Sequence, residues 1–415
     1  MSQPLETLPS CRSASVPLAS KAMPAALVGL LAVASGLCVA NVYYAQPLLD
    51  LLAASLGISL AAVGGVVTAT QLGSALALVL LVPLGDRLER RRLMLIQLLA
   101  LVGALLWVAC AQSPGWLLAG MLATGLLGTA MTQGLIAYAA SAAGDGERGR
   151  VVGAAQAGVF IGLLMARVVA GGVADLGGWR SVYIVAALAM LLLAGLLYRK
   201  LPRLPATAVT MPYAQLIGSM ARLLRQDRVL QIRGVLALLM FAAFNIFWSA
   251  LVLPLSVPPY AYSHTTIGAF GLVGVIGALG AAGAGRWVDK GRGQTVTAMA
   301  LLVLLLAWWP LSLMPTSLWA LALGIILLDL GGQALHVTNQ SMILREQVHV
   351  HSRLVGLYML FYAAGSGAGA IATTVIYAQA GWSGVCALGA ATCGAAVLFW
   401  LATRRFMPAE LGQPT

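Results

Sequence analysis

Asp329, Gln333, His336 and Gln340 stand out in an apolar run over 317–343. They are spaced +4, +7 and +11 from Asp329, so at 3.6 residues per turn they share one narrow face of a helix. A carboxyl, an imidazole and two carboxamides in one stripe suit proton transfer and hydrogen bonding, and such a stripe is costly to turn toward lipid. The expectation is that it lines a wet cavity, with Asp329 a proton carrier and His336 a second one. Asp329 is equally open to contacting a solute or to bonding a neighbouring helix. Arg167 is the other charge inside an apolar run. At 1.5 Å per residue its Cα level and that of Asp329 differ by only ~6 Å, so an ion pair between them is a further expectation. Asn41 with Tyr44, Gln133, and Asn245 with Trp248 are more candidates for solute contact, and each also suits an interhelical hydrogen bond.

The elements that must position these residues are membrane helices. Hydrophobic residues make up 60% of the 415-residue chain and charged ones 9%, with a mean hydropathy of +0.93. A soluble domain carries about 25% charged residues. Apolar runs predict helices near 24–46, 60–84, 93–112, 116–142, 151–173, 180–198, 229–255, 266–288, 294–314, 317–343, 353–378 and 382–403. Within lipid each must be helical to satisfy its backbone. The net charge of +12 belongs to the loops between the runs. With both termini in the cytosol, every Lys and Arg except Arg167 and Arg180 falls on the cytosolic side, the bias that sets membrane orientation. Arg233 is counted there with the central loop. A basic surface patch for nucleic acid is missing, and the five cysteines have no metal-binding spacing.

One offset recurs. Asp86 and Asp289 are 203 positions apart, as are Arg150 and Arg353, Gly178 and Gly381, Trp179 and Trp382, and Gln133 and His336. The chain therefore reads as an all-α integral membrane protein: twelve transmembrane helices in two pseudo-symmetric six-helix bundles around a central cavity. The expected parts are a cytosolic tail (1–23), a first half (24–198), a basic amphipathic linker (199–228), a second half (229–403) and a C-terminal tail (404–415). Such repeats place a solute site at their interface.

The loop Leu84–Leu93 (LGDRLERRRL), its copy Gly285–Gly293 (GRWVDKGRG) and Gly177–Arg180 (GGWR) resemble the major facilitator superfamily over about 24–403. Two departures are Glu89, where the family has glycine, and Arg167-Val168, where its efflux-associated pattern has Gly-Pro ahead of Gly171-Gly172. The segment Asn41–Asp50 is similar to bacterial sugar or drug efflux permeases. The resemblance implies a functional monomer of the bacterial inner membrane. It implies gating by Asp86, Arg87, Arg90, Arg91, Asp289, Lys290 and Arg292, with Asp86 docked at the start of the eleventh helix, where a carboxylate suits the helix dipole. It favours proton-coupled export of a small organic solute, with no cofactor and the proton gradient as energy source; a phosphate loop is absent. Uptake symport of a sugar, organic acid or amino acid is the alternative. A non-transporting receptor and a membrane-embedded enzyme are readings of other classes, the latter lacking a catalytic constellation.

Overall fold

The computed structural model describes residues 23–144, 146–202, 212–344 and 351–407. Among the described residues, ten helical segments are long and apolar enough to cross a membrane, with mean hydropathy from 1.3 to 2.3. Two of them, Arg148–Lys200 and His351–Thr403, run for 53 residues. At 1.5 Å per residue that is ~80 Å, far more than a bilayer core of ~30 Å. Each reverses at a glycine in the left-handed region, Gly178 (φ 76°) and Gly381 (φ 59°). Twelve spans result among the described residues. They are α1 (Ala25–Tyr43), α2 (Gly65–Leu76), α3 (Arg90–Ala109), α4 (Pro114–Ala142), α5 (148–177), α6 (179–200), α7 (Arg228–Ala250), α8 (His264–Gly280), α9 (Gly293–Ser312), α10 (Leu318–Leu344), α11 (351–380) and α12 (382–403).

The 203-residue offset reappears in the helix bounds. It relates the starts of α1 and α7, both ends of α3 and α9, and both ends of the two 53-residue segments. An even number of crossings puts the described ends, Met23 and Met407, on one face, here called the near face. Odd-numbered helices run from near to far, even-numbered ones back.

Local chemistry sets the helix ends. Glu89, Ser113, Asp227 and Ser263 each accept a hydrogen bond from a backbone N–H of the first turn that follows, satisfying donors the helix leaves open. Glu89 sits at φ −61°, ψ 112°, so nothing there demands a glycine, and its side chain caps α3 instead. On the near face Glu147 accepts from the Met23 N–H at 2.8 Å and from Arg150 at 2.7 Å, which hold its carboxyl below the usual range.

Two features depart from expectation, and a third gives the amphipathic linker its form. The chain after α1 continues through a 3₁₀ turn into a short helix, Leu49–Leu56, on the far face. The linker contains an amphipathic helix, Tyr213–Gln226, that buries Leu216 and Met220; residues 203–211 of that linker lie outside the described set. Arg233 is not a loop residue. It is fully buried in α7, where Nη1 donates to Thr297 Oγ1 (2.7 Å) and Asn339 Oδ1 (3.4 Å). The helix was expected to begin at 229, but Arg233 was counted with the basic residues of the loop before it, which hid a third buried charge.

Helices meet at small residues. A Cβ on Gly162 of α5 would lie 2.2 Å from the Gly36 carbonyl oxygen of α1, and one on Gly125 of α4 would lie 1.9 Å from that of Thr70 in α2. Lipid drives no hydrophobic association between helices, so this close backbone approach carries the packing. Large apolar side chains such as Leu192, Trp309 and Leu398 point outward.

Candidate functional site

Between the two halves lies a cavity of about 380 Å³. Its lining comes from α1, α2, α4 and α5 of the first half and α7, α10 and α11 of the second. Gln333, His336 and Gln340 face it from α10, and Gln133 faces them from α4. Sequence reasoning missed Gln156 of α5, Tyr43 of α1, Ser74 of α2 and Thr129 of α4, which also line it. Thr129 donates to the Ser74 hydroxyl at 2.8 Å. His336 Nδ1 lies 2.9 Å from the Tyr358 hydroxyl, and its ring packs edge-on against Phe241.

Asp329 does not join the cavity lining. It is buried against α8, where a Cβ on Gly274 would lie 2.6 Å from Asp329 Oδ2. The α10 stripe is continuous along the helix, but its neighbours change. The turns nearer the near face border open space, while the turn bearing Asp329 meets the glycine side of α8.

Arg167 occupies the same layer. Its Nη2 donates to Gln46 Oε1 at 3.1 Å, and its guanidinium lies 3.9 Å from the centre of the Trp248 ring. Gln46 in turn donates to Asn245 Oδ1 at 2.8 Å, which ties the 3₁₀ turn after α1 to α7. The expected Arg167–Asp329 ion pair is not formed. Among the described residues, Nε and Nη1 of Arg167 and Oδ2 of Asp329 are buried without a hydrogen-bond partner. The two side chains border neighbouring glycines of α8, Arg167 at Gly271 and Asp329 at Gly274. Trp248 and Asn245 thus belong to this closed layer rather than to the cavity. Asn41 also misses the cavity: its amide donates to Leu37 O (2.8 Å), Cys38 O (3.4 Å) and Met190 Sδ (3.5 Å). Tyr44 is buried outside the lining. One residue decides this, since Tyr43 is the tyrosine of α1 that points inward.

Above that layer the far face is sealed by bonds between the halves. His264, at the start of α8, places Nε2 2.9 Å from Asp50 Oδ2 and Nδ1 3.3 Å from Asp175 Oδ1. The Asp175 carboxylate also accepts from the His264 N–H (3.1 Å) and the Thr265 N–H (2.8 Å), so an α5 carboxylate caps the N-terminus of α8, a favourable placement in the helix dipole. Farther round, Gly64 N–H donates to Thr374 Oγ1 (3.2 Å), and Thr68 of α2 donates to the Gly367 carbonyl of α11 (2.7 Å).

Of the expected gating residues, Arg90 donates to the Ala137 carbonyl (2.7 Å), the Ser141 hydroxyl and the Gly85 carbonyl (3.2 Å), tying the 2–3 loop to the C-terminal end of α4. Arg91 donates to the Tyr198 carbonyl and lies over that ring at 5.3 Å. Arg292 lies 5.4 Å from the centre of the Trp287 ring. Arg87 and Lys290 are exposed. The side chains of Asp86 and Asp289 lie outside the described set, and with them the docking of Asp86 on α11.

A family model described as Major Facilitator Superfamily matches residues 31–352. The chain is 42% identical over 375 residues to the putative uncharacterized transporter YgaY of Escherichia coli (strain K12), covering 90% of this chain and 95% of that protein. Among solved structures it is similar to a mutant of the nucleoside transporter NupG, with a TM-score of 0.74, 16% identity and coverage of 91% of this chain and 98% of that one. It is also similar to the xylose transporter XylE from E. coli in a partially occluded inward-open conformation, with a TM-score of 0.69, 16% identity and coverage of 94% and 98%. Helices, cavity and family model agree: this is a multi-pass membrane transport protein, not an enzyme. The chain belongs to the major facilitator superfamily.

Proposed function

We propose that the protein is a proton-coupled secondary transporter that exports a small organic solute across the bacterial inner membrane by alternating access. The near face is the cytosolic one, because the basic residues gather there. The observation that carries this reading is a polar cavity between the halves beneath a far face sealed by bonds from one half to the other. The coupling site is the Arg167–Asp329 layer. An unpaired carboxylate at this depth is costly. Asp329 therefore holds a proton while Arg167 is engaged by Gln46 and Trp248, and gives it up when a shift along α8 lets the guanidinium reach it. Export follows from the likeness of Asn41–Asp50 to efflux permeases. Uptake symport is the second reading, favoured by the glutamine-rich lining and by structural neighbours named for a nucleoside and a pentose.

The test compares wild type with Asp329→Asn in proteoliposomes under an imposed pH gradient, after metabolite profiling of expressing cells has named the solute. Wild type is expected to drive solute against its gradient at the expense of protons. The variant is expected to let the solute equilibrate without accumulation. Equal accumulation by both would remove Asp329 from coupling, and accumulation inside wild-type cells would reverse the direction.

A further inference from the structure

The cavity lining contains no Asp, Glu, Lys or Arg among the described residues. The buried charges around it are all turned elsewhere. Arg167 is held by Gln46 and Trp248, Asp329 faces Gly274, and Arg233 donates to Thr297 and Asn339.

What the cavity presents instead is primary amide. Gln133 and Gln156 from the first half and Gln333 and Gln340 from the second reach it, and none has a hydrogen bond within the described protein. Each carboxamide offers two N–H donors and a carbonyl oxygen with two lone pairs. An ion entering this space leaves water without meeting a counter-charge, whereas a neutral polar molecule can exchange its water for these amides. Phe160, Phe241 and Tyr362 add flat apolar faces beside them, which suit a ring laid against them. A volume of about 380 Å³ falls in the range of small-molecule sites.

We infer that the cavity takes an uncharged solute of nucleoside or hexose size, recognised by hydrogen bonds along one edge and by a flat face. This rests on the reading of the cavity as the transport site. The charged layer above it then serves the proton alone, and the solute is read by neutral groups.

Binding tests it without requiring transport. Full-length protein in lipid nanodiscs is titrated calorimetrically with matched pairs: adenosine and adenosine 5′-monophosphate, glucose and glucose 6-phosphate, with benzoate and tetraethylammonium as simple ions. At least one neutral member is expected to bind, with its phosphorylated counterpart weaker by at least about tenfold. Gln333→Leu is expected to weaken the neutral ligand by about tenfold without changing the melting temperature. Gln133→Leu, on the opposite half, serves the same purpose should the first variant fold poorly. A charged member that binds as well as its neutral partner overturns the inference, and so does silence from every neutral member. Neutral ligands that bind but never cross a liposome membrane would keep the solute class and remove the transport reading. Transport confined to ions would do the reverse.

Discussion

His264 has its protonation specified by its neighbours. Nε2 faces the carboxylate of Asp50 and Nδ1 that of Asp175. An ionised carboxylate only accepts, so both ring nitrogens must donate, which the imidazolium alone can do. Loss of its proton leaves one ring donor, so one of the two ring-to-carboxylate bonds is lost while Asp175 keeps the backbone N–H groups of His264 and Thr265. The clamp between the halves is thus present at low pH and weakens once the imidazole has titrated. Spin labels at Leu176 and Val257, exposed positions near the far ends of the two halves, are expected to move apart as pH rises. In His264→Phe the distance should no longer change with pH. A wild-type distance that ignores pH would show that the seal does not depend on this residue. His264 was invisible to sequence reasoning because its partners lie 214 and 89 positions away and no helical spacing links them. Gln333, His336 and Gln340 were legible because one helix carries them at one spacing. Asp329 shares that spacing and still faces elsewhere, because periodicity finds a face of a helix but not the helix that packs on it.

At the scale of the element, nearly all spans were legible, since an apolar run of this length has no other stable form in lipid. The match of Gly178 with Gly381 was legible as a repeat, and its cause is structural: both sit at positive φ where two antiparallel spans join without a loop. What stayed hidden were the short helix Leu49–Leu56, which is too short to stand out as a span of its own, and the burial of Arg233 inside a helix whose start was expected at 229. Glycine-mediated contacts give the elements a direct test. Gly162→Ala would put a Cβ 2.2 Å from the Gly36 carbonyl oxygen, and helix backbones there have no room to yield. Overpacking of this kind costs typically 1–3 kcal/mol, so a lower melting temperature in detergent is expected. Gly153→Ala lies on the same helix with nothing within 4 Å, and it should leave the melting temperature unchanged or slightly raised. Equal losses in both variants would mean that the α1–α5 contact is not held by close backbone approach.

For the whole molecule the question is whether the sealed far face must open for transport. The seal runs along α2 and α11, which belong to opposite halves and bond through Thr68 and Gly367. One helical turn further, a Cβ on Gly367 would lie 3.5 Å from the Cβ of Gln71, within the separation a disulfide spans, about 3.5–4.5 Å. A Gln71→Cys, Gly367→Cys pair, in a chain with its five natural cysteines replaced, should therefore cross-link on oxidation with little movement of either helix. The bond leaves the cavity and its glutamines in place, so solute should still bind from the near face. If the halves must rock apart at the far face to release it, oxidation should abolish transport and a reducing agent should restore it. Loss of binding together with transport would show only that the cross-link had collapsed the site, which is why both are measured on one preparation. Undiminished transport by a fully cross-linked protein would mean that the solute leaves by a route that does not part α2 from α11. The two halves would then not alternate about the cavity between them.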